Sequence, residues 1–103
     1  MIDIATLKRM NMPEKIALTK HAAQRLEDRE IKIADIVNGI KTGEIIRRYE
    51  DDKPLPSCLI LGISAKNRYI HIVVSQDDNF IYLITAYYPT SKHWENDFKT
   101  RKE

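Results

Sequence analysis

The chain has 103 residues, a mass of 12.0 kDa and a formal net charge of +2, which leave room for one domain and exclude a strongly basic nucleic-acid coat protein. Hydrophobic residues make up 43% and charged residues 31%, so neither a disordered nor a membrane-spanning chain is expected. The lone Cys58 excludes an internal disulfide, and we expect a cytoplasmic protein whose single domain, 1–103, has a peripheral segment at 1–15 and its core at 16–100.

A short helix is predicted over 3–10 and a second helix over 20–29. The second begins after Thr19, a residue type that commonly caps helix N-termini. His21 and Arg25 are four residues apart on its flank, so their side chains emerge together, and Arg29 follows one turn later. The buried stripe of this helix is expected to consist of Leu18, Ala22 and Leu26.

A third helix is predicted by apolar residues at helical spacing, namely Ile33, Ile36, Val37 and Ile40. We expect Gly43 to end it, since glycine adopts the left-handed conformation after a helix at the least cost.

From residue 44 the apolar pattern alternates and predicts four strands, at 44–49, 57–64, 69–75 and 80–88. Short polar connections favour a consecutive antiparallel meander. Ser91 is a candidate N-cap for a final helix carrying Trp94 and Phe98. The expected fold class is therefore α+β, with N-terminal helices packed on a four-stranded antiparallel β-meander and a C-terminal helix.

Strict alternation assigns the strand side chains to two faces. In the third strand the even-numbered residues are all aliphatic and predict the core face, so His71 should point away from the main core. In the last strand, Thr85 and Tyr87 should share a face with Ile81 and Leu83.

Histidines, arginines and hydroxyl residues suit the cleavage of RNA, in which the 2′-hydroxyl is the nucleophile and no metal ion is needed. Histidine serves as acid or base near neutral pH, and arginine binds phosphate through two parallel hydrogen bonds. The chain has no glycine-rich phosphate loop and no paired-cysteine motif, so we expect neither a metal site nor a cofactor.

Structural roles for the same side chains stay open. A pair formed by His21 and Arg25 with an acidic neighbour would merely orient the helix. A strand histidine such as His71 is commonly half-buried and hydrogen-bonded, and Trp94 is expected to be a hydrophobic lid.

Several short motifs follow one another along the chain: His21-Ala22-x-x-Arg25-x-x-x-Arg29-x-Ile31, Gly43-Glu44-Ile45, His71-Ile72-Val73-Val74 and Ile84-Thr85-Ala86-Tyr87-Tyr88-Pro89, with Trp94 beyond them. Over about residues 16–100, their order and spacing resemble a small bacterial and phage family of domains of unknown function. That family looks related to the RelE/ParE-like toxin fold, within the wider barnase–EndoU–colicin–RelE ribonuclease-like group.

The resemblance implies N-terminal helices packed on a curved antiparallel sheet, and metal-independent endoribonuclease activity of RelE-like toxin type. RNA and a cognate antitoxin-like protein are the implied partners, and a monomer or a homodimer is expected. The alternative is a ParE-like module that binds a protein or a nucleic acid without cleaving it.

The family's polar positions supply the site hypothesis. The candidate catalytic residues are His21, Arg25, His71, Thr85 and Tyr87, and the candidate substrate-binding residues are Arg29 and, from its strand position alone, Arg48. One of the two histidines would remove the 2′-hydroxyl proton, the arginines would hold the phosphate, and the hydroxyl residues would position the substrate.

Overall fold

A computed structural model describes residues 2–102, which form three α-helices and one five-stranded sheet. The helices are α1 (Ile4–Arg9), α2 (Lys20–Asp28) and α3 (Ile33–Thr42), with a 3-10 turn at Pro13–Lys15. The strands are β1 (Ile16–Leu18), β2 (Glu44–Tyr49), β3 (Ser57–Ile63), β4 (Tyr69–Gln76) and β5 (Ile81–Tyr87), in the spatial order β1-β5-β4-β3-β2. The α+β class is confirmed, whereas the four-stranded sheet and the C-terminal helix are wrong.

The additional strand is β1, which pairs with β5 in parallel. It was not predicted because three residues are too few to show an alternating pattern. Leu18 therefore belongs to β1 and is 37% exposed, so it is not part of the buried stripe of α2. Ala22 and Leu26 are buried as expected.

Side-chain caps begin two of the helices. The Asp3 carboxylate accepts a hydrogen bond from the Thr6 amide, and the Thr19 hydroxyl accepts one from the Ala22 amide, which confirms the predicted N-cap of α2. Each cap satisfies a backbone donor that has no partner within its helix.

Glycines allow α3 to pack directly on β3. A Cβ atom at Gly62 would lie 1.9 Å from the carbonyl oxygen of Gly39, and one at Gly43 would lie 2.5 Å from the same oxygen. Gly43 ends α3 as predicted, but its φ of −88° is not left-handed. Close approach to the sheet, rather than conformational freedom, is what requires glycine there.

The sheet has two faces, named here by the side chains of β4. The first face carries Ile70, Ile72 and Val74 and packs against the helices. The main core lies there and is almost wholly aliphatic; its buried members are Ile2, Leu7, Leu26, Ile31, Ile36, Ile40, Cys58, Ile60, Ile70, Ile72, Val74, Ile81, Leu83 and Ala86. The second face carries His71, which points away from that core as predicted.

Two breaks in strand register change which side chains reach the second face. Between β4 and β5, Thr85 pairs with Val73 whereas Leu83 pairs with Val74, so the register skips Ile84. Thr85 and Tyr87 therefore lie on the second face, and the expectation that they share a face with Leu83 is wrong. The bulge adds one unpaired residue to β5, so the side chains after it point to the opposite face from the one that strict alternation predicts. The alternating pattern of the sequence does not reveal such a bulge.

A second break lies in β2, where Ile45 pairs with Ile60 and Arg47 pairs with Leu59. The register skips Ile46, so Arg47 turns onto the second face although Ile45 packs against the core of the first face. The aliphatic residues of β2 therefore do not predict where its arginines point.

Residues 89–102, called the strap below, cross the second face without forming a helix. The Asp97 carboxylate accepts hydrogen bonds from the amides of Lys99 and Thr100, which closes a turn, and Trp94 pairs with Arg101 as an isolated antiparallel bridge. Aspartate competes with helical hydrogen bonding through such side-chain bonds. Trp94 is nevertheless 5% exposed and covers His71, as expected of a lid.

Candidate functional site

The flank of α2 presents two of the predicted residues to solvent. His21 and Arg25 are both exposed, and Arg25 Nε donates to His21 Nε2 at 2.9 Å. The Thr19 cap fixes the start of the helix, and the four-residue spacing places the two side chains together. A ring nitrogen that accepts a hydrogen bond carries no proton, and a general base requires such an unprotonated nitrogen.

Arg29, at the end of α2, reaches the margin of the sheet. Its Nη1 atom donates to the Thr85 hydroxyl at 3.1 Å and to the Ala86 carbonyl at 2.8 Å. Because β1 pairs with β5 only as far as Leu83, this part of β5 extends beyond its neighbouring strand. The guanidinium therefore bonds to a backbone carbonyl in the part of β5 that β1 does not reach.

His71 and Tyr87 meet beneath the strap. The Tyr87 hydroxyl lies 3.2 Å from His71 Nδ1, and the Phe98 carbonyl oxygen lies 2.8 Å from His71 Nε2. Since a carbonyl only accepts, Nε2 carries the proton and Nδ1 accepts from the Tyr87 hydroxyl. The Trp94 ring packs edge-to-face on the imidazole at a centroid separation of 4.5 Å. His71 is fully buried.

Burial determines the ionisation of this pair. It lowers the pKa of His71 below 6.5, although the hydrogen bond to Phe98 acts in the opposite direction. Burial also raises the pKa of Tyr87 above 10.0, with Tyr49 adding to the effect and the nearby charges of Arg101 and Arg29 opposing it. Both side chains are therefore neutral at pH 7, and His71 is enclosed by its own partners.

Arg48 lies apart from these residues. Its Cα partner in β3 is Cys58, a member of the main core, and its Nη1 atom donates to the carbonyl of Ile2. The structure therefore brings the other six predicted residues to α2 and the second face, but places Arg48 on the first face.

Two arginines that lie on the second face are not among the candidate site residues predicted from the sequence. The guanidinium carbon of Arg47 is 5.8 Å from the centroid of the Trp94 ring, and that of Arg101 is 5.9 Å from it. Arg47 was hidden by the register break at Ile46, and Arg101 by its place in a segment expected to be helical. The spacing of arginine and aromatic residues in sequence contains no signal for either contact.

Two other chemistries find no support among the described residues. No group of three or more histidine, cysteine, aspartate or glutamate side chains between residues 2 and 102 is placed to hold a metal ion. Cys58 is buried in the core, and burial raises the pKa of its thiol to about 11. A thiol that stays protonated is a poor nucleophile.

Together these features define a small α+β domain with an aliphatic face and a polar second face rich in arginine and aromatic residues. The family described as Domain of unknown function (DUF4258) matches residues 18–88, and the chain belongs to that family. No curated protein and no solved structure matches the chain. None of the helices found between residues 2 and 102 has the length and apolar character needed to cross a membrane.

Proposed function

We propose that the protein is a metal-independent endoribonuclease of RelE-like toxin type that cleaves RNA at the flank of α2, with His21 as the general base. One observation carries the proposal: His21 is exposed, and Arg25 donates to its Nε2 atom at 2.9 Å. This pair offers a proton acceptor and a phosphate-binding cation side by side. His71 was the other candidate base, but both of its ring nitrogens are engaged beneath the strap.

The reaction follows from an exchange of hydrogen bonds. A charged phosphate is a stronger partner for the Arg25 guanidinium than a neutral imidazole, so bound RNA draws Arg25 away from His21. The freed Nε2 atom takes the proton of the 2′-hydroxyl. The 2′-oxygen then bonds to the adjacent phosphorus, the bond to the 5′-oxygen breaks, and water protonates the leaving oxygen. The products are a 2′,3′-cyclic phosphate and a 5′-hydroxyl end.

Arg29 and Thr85 would position the RNA strand beside this pair. Arg29 lies one helical turn beyond Arg25, and its side chain is held by Thr85 and Ala86. A guanidinium fixed by the protein loses less conformational freedom when it binds phosphate. Tyr87 supports the same margin through its bond to His71.

The test is cleavage of a defined single-stranded RNA by purified protein in the presence of EDTA. His21→Ala should lower the cleavage rate by about 10²–10⁴-fold, the usual contribution of a general base. His93→Ala is the matched control, because His93 is also an exposed histidine but lies in the strap. A substrate with a single 2′-deoxy nucleotide at the cleavage position should resist cleavage.

The proposal fails if the wild-type protein leaves RNA intact, or if His21→Ala and His93→Ala cleave at the same rate. The thermal midpoint of His21→Ala should match that of the wild type, because the side chain is exposed and its one hydrogen bond is to another surface residue.

A non-catalytic ParE-like module that binds a protein or a nucleic acid is the second candidate. It is favoured by the internal hydrogen bonds of Arg29, His71 and Tyr87, which are those of a rigid binding surface. Intact RNA that binds the protein, or an antitoxin-like protein that binds it while RNA does not, would support this candidate against the first.

A further inference from the structure

Within residues 2–102, the second face and its margin hold three arginines that form no ion pair with a carboxylate. Between residues 2 and 102 the ion pairs are Lys66 with Asp35 and Lys99 with Glu44. Arg29, Arg47 and Arg101 take part in neither. The near-neutral total charge of the chain therefore conceals a local excess of positive charge on this face.

Two of these arginines are held in place by one aromatic ring. The guanidinium groups of Arg47 and Arg101 lie 5.8 and 5.9 Å from the centroid of Trp94. Cation–π attraction to tryptophan restrains each group without using its hydrogen-bond donors. Within the described part of the chain neither guanidinium is in an ion pair, so packing on the ring leaves its N–H groups free to bind phosphate.

The backbone that carries the two arginines is also well supported. Arg47 belongs to β2 and pairs with Leu59 of β3. Arg101 pairs with Trp94, and the neighbouring Lys102 amide donates to the His93 carbonyl at 2.9 Å. Sites built on fixed backbone lose less entropy when they bind.

The chemistry of the surface favours a single-stranded nucleic acid. Planar guanidinium groups bind phosphate through paired hydrogen bonds. Tyr49, two residues after Arg47 on the same strand, is 38% exposed and offers a ring on which an unpaired base can stack. Trp94 is only 5% exposed, so it positions the arginines and does not itself stack on a base.

We propose that Arg47 and Arg101 form a phosphate-binding subsite for single-stranded RNA, separate from the His21–Arg25 pair. Its ligand rests on the proposed function, since RNA is the substrate assigned there. Arg29 lies between the two regions. It directly follows α2 and bonds to Thr85, and its charge acts on Tyr87 together with the charge of Arg101. The RNA strand thus extends from the flank of α2 across the end of β5 to the strap.

This subsite includes a part of the chain that lies beyond the residues matched by the family model. The family match ends at residue 88, whereas Trp94 and Arg101 belong to the strap. We infer that the strap supplies half of an RNA-binding subsite in addition to covering His71.

The experiment measures binding separately from cleavage. A short single-stranded RNA with 2′-O-methyl groups cannot be cut by 2′-hydroxyl attack, and its binding is followed by fluorescence anisotropy over a range of salt concentrations. Arg47→Gln and Arg101→Gln should each weaken binding by roughly two- to fivefold. The slope of log K against log salt should fall by about 0.7 for each phosphate group that is no longer neutralised by an arginine.

Arg9→Gln is the matched control, because Arg9 is an exposed arginine on α1, which packs on the first face. Its affinity and salt slope should equal those of the wild type. Arg47→Lys and Arg101→Lys keep the charge and should restore most of the salt slope. Retained hydrogen-exchange protection of the Glu95 and Lys102 amides shows that the strap stays in place.

Equal affinities for the wild type and for both Gln variants overturn the subsite, as does an equal loss in Arg9→Gln. Failure of both Lys variants to restore the slope also overturns it, because the loss would then come from a displaced strap. An absence of any RNA binding overturns it together with the proposed function. If the probe binds as expected but His21→Ala cleaves RNA like the wild type, the subsite stands and only the assigned base is wrong.

Discussion

The two faces of the sheet are built from the same strands but are covered in different ways. On the first face, the helices cover aliphatic side chains such as Ile70 and Ile72. On the second face, an irregular strap covers His71 with an indole ring and a backbone carbonyl. The first face is stabilised by apolar contacts with no direction, whereas the second adds hydrogen bonds and ring contacts of fixed geometry to the buried Leu59 and Leu61.

The hydrophobic core that stabilises the fold and the polar candidate residues lie in different parts of the molecule. The hydrophobic core lies on the first face and includes the buried thiol of Cys58, while the buried Asp35 carboxylate of α3 accepts a hydrogen bond from the Lys32 amide. The second face, its margin and the exposed flank of α2 contain six of the seven candidate residues together with Arg47 and Arg101. We therefore expect substitutions on the first face to affect folding, and substitutions on the second face to affect the strap and the binding of ligands.

The largest effect is expected for Gly62→Ala on the first face. The added Cβ would lie 1.9 Å from the Gly39 carbonyl oxygen, so α3 has to move away from β3. Overpacking of this kind lowers the free energy of unfolding by about 1–3 kcal/mol or more. Denaturant unfolding measures it.

Gly39→Ala is the matched variant for that experiment. Its Cβ would meet the side-chain atoms Ile72 Cδ1 and Ile70 Cγ2, at 2.5 and 3.0 Å, rather than backbone. Side chains relax more readily, and alanine favours the helix by about 1 kcal/mol over glycine. If Gly39→Ala is as destabilising as Gly62→Ala, backbone contact is not what limits the packing of α3.

A smaller effect is expected for Trp94→Ala on the second face. The lost ring contacts loosen the strap, but the strap can detach while the helices and the sheet remain folded, so the free energy of global unfolding should fall less than in Gly62→Ala. Hydrogen exchange should accelerate at the amides of Glu95 and Lys102, whose acceptors lie within the strap. Amides in β4 should keep their protection.

Loss of protection in β4 at the same rate would show that the two faces unfold together. The comparison would then fail, because the strap would belong to the same cooperative unit as the main core.

The smallest effect is a pH dependence that originates at His71. Burial lowers its pKa in the folded protein below the unfolded value of 6.5. Above pH 6.5 both states are neutral and the stability is fully present. As the pH falls below 6.5, the unfolded state binds a proton that the folded state does not, so the free energy of unfolding decreases.

His71→Gln should flatten the stability curve between pH 6.5 and the lowered pKa of His71, as measured by the thermal midpoint. Asp77 and Asp97 have pKa values lowered by hydrogen bonds, below 3.8, and lose their contribution in a more acidic range. A His71→Gln curve as steep as that of the wild type would exclude His71 as the source.

Elements with a strong local signal were predictable. Thr19 caps α2, the apolar spacing from Ile33 to Ile40 forms α3, and four of the five strands lie close to their predicted positions. β1 and the strap were not predicted correctly. The three residues of β1 depend on pairing with β5, and the strap follows contacts with His71 and the turn closed by Asp97.

The candidate site was predictable only in part, for a similar reason. The helical spacing of His21 and Arg25 requires them to be neighbours, and they are. The bond between Arg29 and Thr85 joins residues 56 positions apart, and no local pattern indicates it. Arg47 was missed because the register break at Ile46 occurs in the paired strands.

The sequence by itself determined the α+β class, the aliphatic face of β4 and the exposed pair on α2, because each depends on the repeat of one helix or one strand. The tertiary structure alone decided which side chains share the second face. That outcome depends on two skipped residues in strand pairing and on a strap that is joined to the sheet by the bond between the Phe98 carbonyl and His71, which are 27 positions apart. Such contacts arise from packing between segments, and the periodicity of a single segment does not contain them.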